Sequence, residues 1–274
     1  MINSKDILCV IVLYKSIYNE CKTYRTFLQK NKGINVYICD NSPCRQICED
    51  YTVVKYDYSS FNLGLSKSYN KACDYAKINN YNWILLLDQD TDFSNVSIKD
   101  YIDVINSDKE VSLIAPLVKC GDKFMSPINL NNRFPHLESK IPQGKIMSLF
   151  DYSPINSGIC VSVDAFIKSG GYDNNVFLDY SDYIFIKRFR KIYDCFYLLD
   201  KIVYQTLSVM SDDKKQTMNR YRLFCSSIHN ISKDNITEQI YYGLIVVKRC
   251  ISIMLKNKCY GSWKICYKYL THKL

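Results

Sequence analysis

Short apolar runs alternate with segments of helical periodicity over most of the chain. The apolar runs at residues 7–13, 36–39, 53–56, 83–87, 111–116 and 156–163 predict strands. Helical patterns are found at residues 64–78, 97–106, 164–169 and 181–192, and a further helix is expected to end near residue 29. Strands that alternate with helices in this way predict βαβ units and a mostly parallel central sheet flanked by helices.

Two other segments depart from this alternation. Residues 119–150 lack clear periodicity and include Pro127, Pro135, Pro142 and Gly144, which predicts an irregular stretch that serves as a functional loop or a lid. Residues 217–230 and 236–256 have two long helical patterns in succession. We therefore expect an α/β domain over residues 1–213 and a helical extension over residues 214–274.

Acidic side chains follow two of the predicted strands. Asp40 ends the second apolar run, and Asp88 and Asp90 follow the fourth with one residue between them. The carboxyl ends of parallel strands open onto one crevice, and carboxylates at i and i+2 of an extended chain can reach the same cation. The alternative is structural: Asp40 could form an Asx-turn before Pro43, and the other two a polar turn.

A second acidic pair, Asp179 and Asp182, precedes the helix predicted at residues 181–192. Acidic residues at a helix start are stabilised by the helix dipole, which explains at least one of them without any function. A carboxylate at a helix start that faces a crevice is also well placed to act as a general base.

Together these motifs resemble family-2 glycosyltransferases of the GT-A fold, most closely the bacterial rhamnosyltransferases. The resemblance extends over residues 6–205 and rests on seven segments in family order: ILCVIVLYK, DNSP, NLGLSKSYNKA, LLLDQDT, INSGICVS, GGYD and FLDYSDYIFIKR. It implies a Rossmann-like, mostly parallel sheet flanked by helices, with the basic helical extension added after it.

The resemblance also implies roles for individual residues. Those expected to bind the nucleotide-sugar are Leu13, Tyr14, Asp40, Asn62, Gly64, Lys67 and Asp88. Those expected in the sugar and acceptor region are Asn156, Ser157, Gly158 and Asp179. Asp182 matches the catalytic base, and Asp90 matches the ligand of a divalent metal, Mg²⁺ or Mn²⁺. Two positions depart from the family pattern: Gln205 replaces a histidine that often completes the metal site, and Ile184 replaces an acid.

The activity that the resemblance implies is transfer of a sugar from a nucleotide-diphosphate donor to a glycan or polyprenyl-diphosphate-linked acceptor. We expect inversion at the anomeric carbon, with rhamnose from dTDP-rhamnose as the leading donor and surface-polysaccharide synthesis as the setting. The alternatives are a UDP-hexose-dependent enzyme of the same fold and a catalytically silent nucleotide-sugar-binding protein.

Charge is unevenly distributed along the chain. Residues 214–274 contain 12 Lys and Arg against 2 Asp and Glu, whereas residues 1–213 contain 24 against 25. This basic segment could bind nucleic acid, for which no motif is recognisable, or simply be a solvated helical face. The third interpretation, which we favour, is contact with a membrane surface, with Ile245, Val246, Cys250, Ile253 and Met254 entering the headgroup region.

The cysteine content and the N-terminal sequence indicate the cellular compartment in which the protein is expected. The 13 cysteines lack paired metal-site spacing and there are only 3 histidines, which excludes a conventional zinc site and favours reduced thiols. The first apolar run is too short for a signal peptide, and no run approaches the roughly 18 residues of a membrane span. We therefore expect a cytoplasmic protein on the inner face of the cell membrane.

Overall fold

The computed structural model describes residues 1–107, 110–131, 145–205, 214–231, 233 and 235–271. The strands are β1 (Ile7–Leu13), β2 (Asn35–Asp40), β3 (Val53–Tyr58), β4 (Trp83–Asp88), β5 (Thr91–Asp92), β6 (Leu113–Cys120), β7 (Lys123–Ser126), β8 (Ile128–Asn129), β9 (Lys145–Ser148), β10 (Tyr152–Ser153), β11 (Cys160–Ser162) and β12 (Cys195–Gln205). The helices are α1 (Gly64–Ile78), α2 (Ile98–Ile105), α3 (Val163–Lys168), α4 (Ser181–Phe189), α5 (Lys214–Asn230), α6 (Ile236–Lys256) and α7 (Ser262–Leu270).

The central sheet has the strand order β3-β2-β1-β4-β11-β6-β12-β5. Strands β3, β2, β1 and β4 are parallel to one another, as the alternating pattern predicted. Strand β11 is antiparallel to both β4 and β6, β12 is parallel to β6, and β5 is antiparallel to β12. The architecture is therefore the expected α/β sheet flanked by helices, with a parallel half and a mixed half.

The register of the parallel half places the acidic strand ends at one edge. Asp40 on β2 lies opposite Leu13, and Asp88 on β4 lies opposite Val12, on the two sides of β1. This confirms that the two strands end at the same crevice.

Two apolar clusters cover the two faces of the sheet, and β1 supplies both because successive side chains point to opposite faces. Leu8, Val10 and Val12 pack with α1, α3 and α4. Ile7, Cys9, Ile11 and Leu13 pack with α2 and the segment before β2.

The helix expected to end near residue 29 is present, but it is short and mostly π-helical. A 3₁₀ turn at Tyr18–Glu20 precedes it, and the π-helical segment is Tyr24–Leu28. The buried Thr23 explains this difference, because its hydroxyl donates to the carbonyl oxygens of Asp88 and Thr91, and its amide donates to that of Gln89. These contacts hold the segment against the end of β4.

The irregular stretch predicted over residues 119–150 begins with ordered strands. Strand β6 continues to Cys120, and β7 then pairs with it. Strands β8 and β10 form a small separate ladder, and β9 pairs with β12. Residues 132–144 of the predicted loop lie outside the described residues.

The C-terminal helices α5, α6 and α7 form a third apolar cluster, which also includes Val176 and Ile184. Ile245, Val246, Cys250 and Ile253 are buried in this cluster and Met254 packs against it. The expectation that these side chains enter a headgroup region was therefore wrong, because they hold the helices together. The division between residues 1–213 and 214–274 stays a prediction, and its boundary lies outside the described residues.

All 13 cysteines are free, and Cys44 is the exposed one among them. Most of the others are buried as small apolar side chains, and burial raises the pKa of the Cys9 thiol to about 12. Among the described residues, no helix combines the length and apolarity needed to cross a membrane.

Candidate active site

The carboxylate of Asp88 lies at the centre of a hydrogen-bonded group where β4 ends. It accepts hydrogen bonds from the Ser157 hydroxyl, from the Tyr69 hydroxyl at 3.3 Å and from the Gln205 amide at 3.2 Å. Burial, together with the nearby charge of Asp90, raises its pKa to about 6, against the opposing effect of these hydrogen bonds. Asp88 is therefore held in one orientation at the sheet edge.

Asp90 is exposed and lies beside this group. The Gln205 Nε2 atom is 3.4 Å from its Oδ1 atom, so one amide donates to both Asp88 and Asp90. Gln205 reaches them because the last residue of β12 pairs with Thr91 on β5. The structure thus brings Asp90 and Gln205, which the resemblance associates with the metal, together with Asp88, which it associates with the nucleotide-sugar.

The donor set fits a magnesium or manganese ion. Among the described residues, no three His, Cys, Asp or Glu side chains come together as a metal site. However, Mg²⁺ commonly takes only one or two protein carboxylates and completes its shell with substrate phosphates and water. The repulsion between Asp88 and Asp90, which raises the pKa of Asp88, is what a divalent cation would relieve. Asp90 would hold such an ion, with Asp88 and the Gln205 oxygen beside it.

The end of β1 provides the residues expected at the nucleotide base. Leu13 is buried and Tyr14 is 42% exposed. The backbone of Tyr14 exchanges two hydrogen bonds with the Gln89 side chain, at 2.9 and 3.2 Å. Gln89 is a positioning residue that the sequence reasoning missed, although it lies between Asp88 and Asp90 in the motif LLLDQDT.

Asp40 is fully buried, and its carboxylate is engaged inside the protein. It accepts hydrogen bonds from the Ser42 amide at 3.0 Å, from the Gln46 side chain at 3.2 Å and from the Tyr56 hydroxyl. The Ser42 contact is the Asx-turn that the sequence left open as an alternative. Asp40 therefore shapes the loop after β2, and its contact with a nucleotide stays a prediction.

The start of α1 joins the segment that leads to the second acidic pair. The Asn62 Oδ1 atom accepts a hydrogen bond from the Gly64 amide at 2.9 Å, and the Leu65 amide donates to the Phe177 carbonyl at 2.9 Å. Gly64 has a φ of +77°, and a Cβ atom there would meet the Phe177 ring at 2.7 Å. Only glycine fits this contact. Lys67, one turn later, is exposed to solvent.

Residues 156–158 connect Asp88 to the start of α4. Ser157 donates to Asp88, while the Asn156 amide lies 3.3 Å from the Ser181 hydroxyl and its oxygen accepts from Tyr172. Gly158 has a φ of +85°, and a Cβ atom there would lie 2.7 Å from Pro116. The segment therefore places the two acidic centres on one scaffold.

Asp182 lies in the first turn of α4, with its Oδ1 atom 2.8 Å from the amide of Tyr183. Burial, together with the charges of Asp88 and Asp179, raises the pKa of this carboxyl to about 6. A carboxyl group with a pKa near neutrality is suited to accept a proton from a hydroxyl. Ile184 faces away from this site, since it is buried against the C-terminal helices.

Asp179 is bound by two arginines from the C-terminal helices. Its carboxylate lies 3.0 Å from Arg249 on α6 and 3.5 Å from Arg220 on α5. Arg249 also lies over the ring of Phe224, 4.1 Å from its centroid. Arg249 belongs to the basic C-terminal segment, but its side chain points inward to Asp179.

A cavity of about 770 Å³ opens between Asp182 and the C-terminal helices. Its lining combines aromatic, amide and charged side chains: Ile128, Asn129, Leu130, Asn131, Phe150, Asp179, Tyr180, Asp182, Tyr183, Arg190, Tyr241 and Arg249. A cavity of this size can hold one or more sugar rings. The C-terminal helices thus contribute directly to the site.

The family model described as "Glycosyl transferase family 2" matches residues 14–167, which is more than half of the chain. The chain belongs to glycosyltransferase family 2. The match includes the strand ends of Asp40 and Asp88, and Asp182 lies beyond it. A search of curated proteins found no match to this glycosyltransferase.

Solved structures support the fold. The crystal structure of GalNAc-T7 with UDP, GalNAc and Mn²⁺ aligns with a TM-score of 0.57 and 11% identity over 89% of this chain. This chain spans 55% of the GalNAc-T7 chain. The mannosyltransferase PcManGT from Pyrobaculum calidifontis, in complex with GDP-Man and Mn²⁺, aligns with a TM-score of 0.53 and 7% identity. The alignment covers 99% of this chain and 84% of the PcManGT chain. At these identities the similarity establishes the GT-A fold of the glycosyltransferase.

Proposed function

We propose that this protein is an inverting, metal-assisted glycosyltransferase that moves a sugar from a nucleotide-diphosphate donor to a hydroxyl group of a glycan or lipid-linked acceptor. The observation that carries the proposal is the placement of Asp182. Its carboxyl group has a pKa raised to about 6 and lines the large cavity. Through residues 156–158 it shares a scaffold with Asp88 at the sheet edge.

In this proposal Asp182 removes the proton of the acceptor hydroxyl while its oxygen attacks the anomeric carbon. The bond to the nucleotide diphosphate breaks on the opposite face, and the leaving group departs with the electron pair. A single displacement of this kind inverts the anomeric centre, by the general-base logic of inverting glycoside hydrolysis. A divalent cation bound at Asp90 would neutralise charge on the diphosphate.

The side chains that line the cavity support the proposal of a glycan acceptor. Tyr180, Tyr183 and Tyr241 offer ring faces and hydroxyl groups, and Asn129 and Asn131 offer amides. A glycan attached to a polyprenyl diphosphate would place the reaction at the inner face of the cell membrane, in surface-polysaccharide synthesis.

For the donor we propose dTDP-rhamnose, on the motifs shared with rhamnosyltransferases. The competing donor is a UDP-hexose, and the solved neighbours contain UDP in one case and GDP-Man in the other, each with Mn²⁺. A donor panel therefore needs dTDP-, UDP- and GDP-sugars.

The first test is a thermal-shift screen of these donors with and without Mn²⁺. A ligand that binds only the native state raises its melting temperature. We expect the largest shift with dTDP-rhamnose plus Mn²⁺; a preference for UDP-sugars would contradict the rhamnose assignment.

The second test compares Asp182→Asn with Asp164→Asn, an exposed aspartate at the start of α3. Asp182→Asn should abolish transfer while keeping the donor-induced thermal shift, and Asp164→Asn should change neither. Donor binding by the wild type without turnover on any glycan acceptor would favour the silent binding protein instead.

A further inference from the structure

The outer face of α6 is apolar although it faces solvent. Ile240, Leu244, Ile251 and Leu255 are 59%, 53%, 52% and 75% exposed. At about 100° per residue these four positions fall within roughly 60° of one another, so they form one stripe along the helix. The side chains that hold the helical cluster together lie on the opposite side of α6.

The stripe ends at a turn rich in aromatic and basic residues. Tyr260 is 64% exposed, and Trp263 and Tyr267 on α7 are 53% and 55% exposed. Exposed lysines lie among them: Lys256, Lys258, Lys264 and Lys268. We refer to the exposed apolar residues and these four lysines together as the docking face. Its apolar members are Ile240, Leu244, Ile251, Leu255, Tyr260, Trp263 and Tyr267.

Charge indicates what covers this docking face. From residue 239 to the end the sequence contains seven Lys and Arg and no Asp or Glu. A second copy of the chain would bring like charges together, which opposes association. Nucleic acid would match the lysines but would leave the aliphatic stripe in water. An anionic lipid surface matches both, since it offers phosphate groups above an apolar layer.

We propose that the docking face lies on an anionic phospholipid bilayer, with α6 parallel to the surface. The aliphatic stripe enters the boundary between headgroups and acyl chains, Trp263 and Tyr267 lie at the headgroup level, and the lysines contact lipid phosphates. The contact with the bilayer itself does not depend on the proposed function. Its role rests on the proposed function, because the docking face would bring a lipid-linked acceptor to the site.

The same helix lines the cavity with its other side. Tyr241 and Arg249 of α6 face the cavity that contains Asp182. An α-helix with its side chains is about 10–12 Å across, so the cavity would lie about one helix diameter from the bilayer surface. A glycan whose diphosphate remains among the headgroups could therefore extend into the cavity.

The chain contains a natural reporter of this contact. It has two tryptophans, of which Trp83 is 8% exposed in the sheet and Trp263 is 53% exposed in the docking face. With vesicles of phosphatidylglycerol and phosphatidylcholine we expect a blue shift of tryptophan emission and co-sedimentation with the vesicles. Vesicles of phosphatidylcholine alone should give much weaker binding, and salt should weaken the binding to anionic vesicles.

Variants test the two components of the surface separately. The double variant Leu244→Ser, Leu255→Ser tests the aliphatic stripe and should reduce vesicle binding at least tenfold. The double variant Lys256→Glu, Lys264→Glu tests the lysines and should have an effect of the same size. The matched control is Ile78→Ser, which removes a side chain that is 78% exposed at the end of α1 and should leave binding unchanged. All these variants should transfer sugar to a water-soluble acceptor at the wild-type rate.

Several outcomes would overturn the proposal. The first is an absence of any emission shift with anionic vesicles, and the second is equal binding to anionic and neutral vesicles. The third is a concentration-dependent dimer that the Leu244→Ser, Leu255→Ser double variant abolishes. Salt-sensitive binding to generic RNA without vesicle binding would do the same. Because vesicle binding is measured without donor or acceptor, transfer without vesicle binding defeats only this inference, and vesicle binding without transfer defeats only the proposed function.

Discussion

The Nη1 atom of Arg249 lies 3.0 Å from the Oδ2 atom of Asp179, across 70 residues of sequence. The contact ties α6 to the residue just before the turn into α4. Tyr180 in that turn adopts a left-handed backbone conformation, with φ of +71°, and packs against Phe224 and Tyr242. The C-terminal helices therefore hold the strained turn that presents Asp182.

Replacement of Arg249 tests this coupling. In Arg249→Leu, Asp179 keeps Arg220 and loses its closer partner, so the turn before Asp182 should shift. A displacement of about 1 Å at a reacting group can lower a rate by about 100-fold, so we expect kcat to fall by roughly 10- to 100-fold. The donor-induced thermal shift should be retained, because the residues expected to bind the donor lie at the sheet edge.

The control for Arg249→Leu is Lys256→Ala, which removes an exposed cation from the same helix. Its transfer rate to a soluble acceptor should equal that of the wild type. Equal rates for Arg249→Leu and the wild type would show that the ion pair does not position the base.

The pKa of Asp182 predicts the pH dependence of transfer. The group must be deprotonated to accept a proton, and its pKa is raised to about 6 by burial. We therefore expect kcat to rise about tenfold per pH unit below pH 6 and to level off above pH 7. The measurement is a kcat profile from pH 4.5 to 8.5 at saturating donor, and a flat profile between pH 5 and 7 would exclude Asp182 as the base.

Replacement of Gln205 tests the proposed metal site. Its amide now donates to Asp88 and Asp90, and an imidazole at the same position would instead offer a neutral nitrogen ligand. Gln205→His should lower the Mn²⁺ concentration for half-maximal thermal stabilisation in the presence of donor by roughly tenfold. Gln205→Asn, with a shorter amide, should give no such gain, and an unchanged midpoint for the histidine variant would place the metal elsewhere.

Replacement of Gly64 by alanine should lower the stability of the protein through its contact with Phe177. An alanine there adds left-handed strain and a collision with Phe177. The two costs together amount to about 2–5 kcal/mol, which corresponds to a decrease in melting temperature of roughly 5–15 °C for a chain of this size. Donor binding should weaken as well, because Asn62 and Lys67 flank the same helix start.

Gly170→Ala is the matched control for Gly64→Ala. Its φ of +82° is close to the +77° of Gly64, but a Cβ atom at Gly170 meets nothing within 4 Å. The difference between the two variants therefore measures the Phe177 contact alone. Similar melting temperatures would mean that the strain, and not the packing, decides the cost.

Strands β1, β2 and β4 of the parallel half could be predicted from the sequence because they are buried on both faces. Strand β1 was predicted at its observed bounds, and β4 to within one residue, since each contains a continuous apolar run. The convergence of Asp40 and Asp88 followed from the same rule about strand ends.

The contacts of individual polar side chains could not be predicted in this way. Helical periodicity places Arg249 near the basic side of α6, but only the packing of α5, α6 and α7 shows that it points to Asp179. Likewise, the pattern around Asp40 did not decide between a turn and a ligand contact. Such choices depend on residues distant in sequence, such as Tyr56 for Asp40.

The distribution of thiols makes the protein convenient to label. Cys44 is exposed and is two residues from Ser42, whose amide donates to Asp40. Three further thiols, those of Cys48, Cys120 and Cys195, are half-buried, which limits their access to alkylating reagents. Burial also raises the pKa of Cys48 and Cys195, which lowers their thiolate fraction. A maleimide dye should thus attach at Cys44 in the unmodified chain and provide an optical signal beside the loop where the nucleotide is expected to bind.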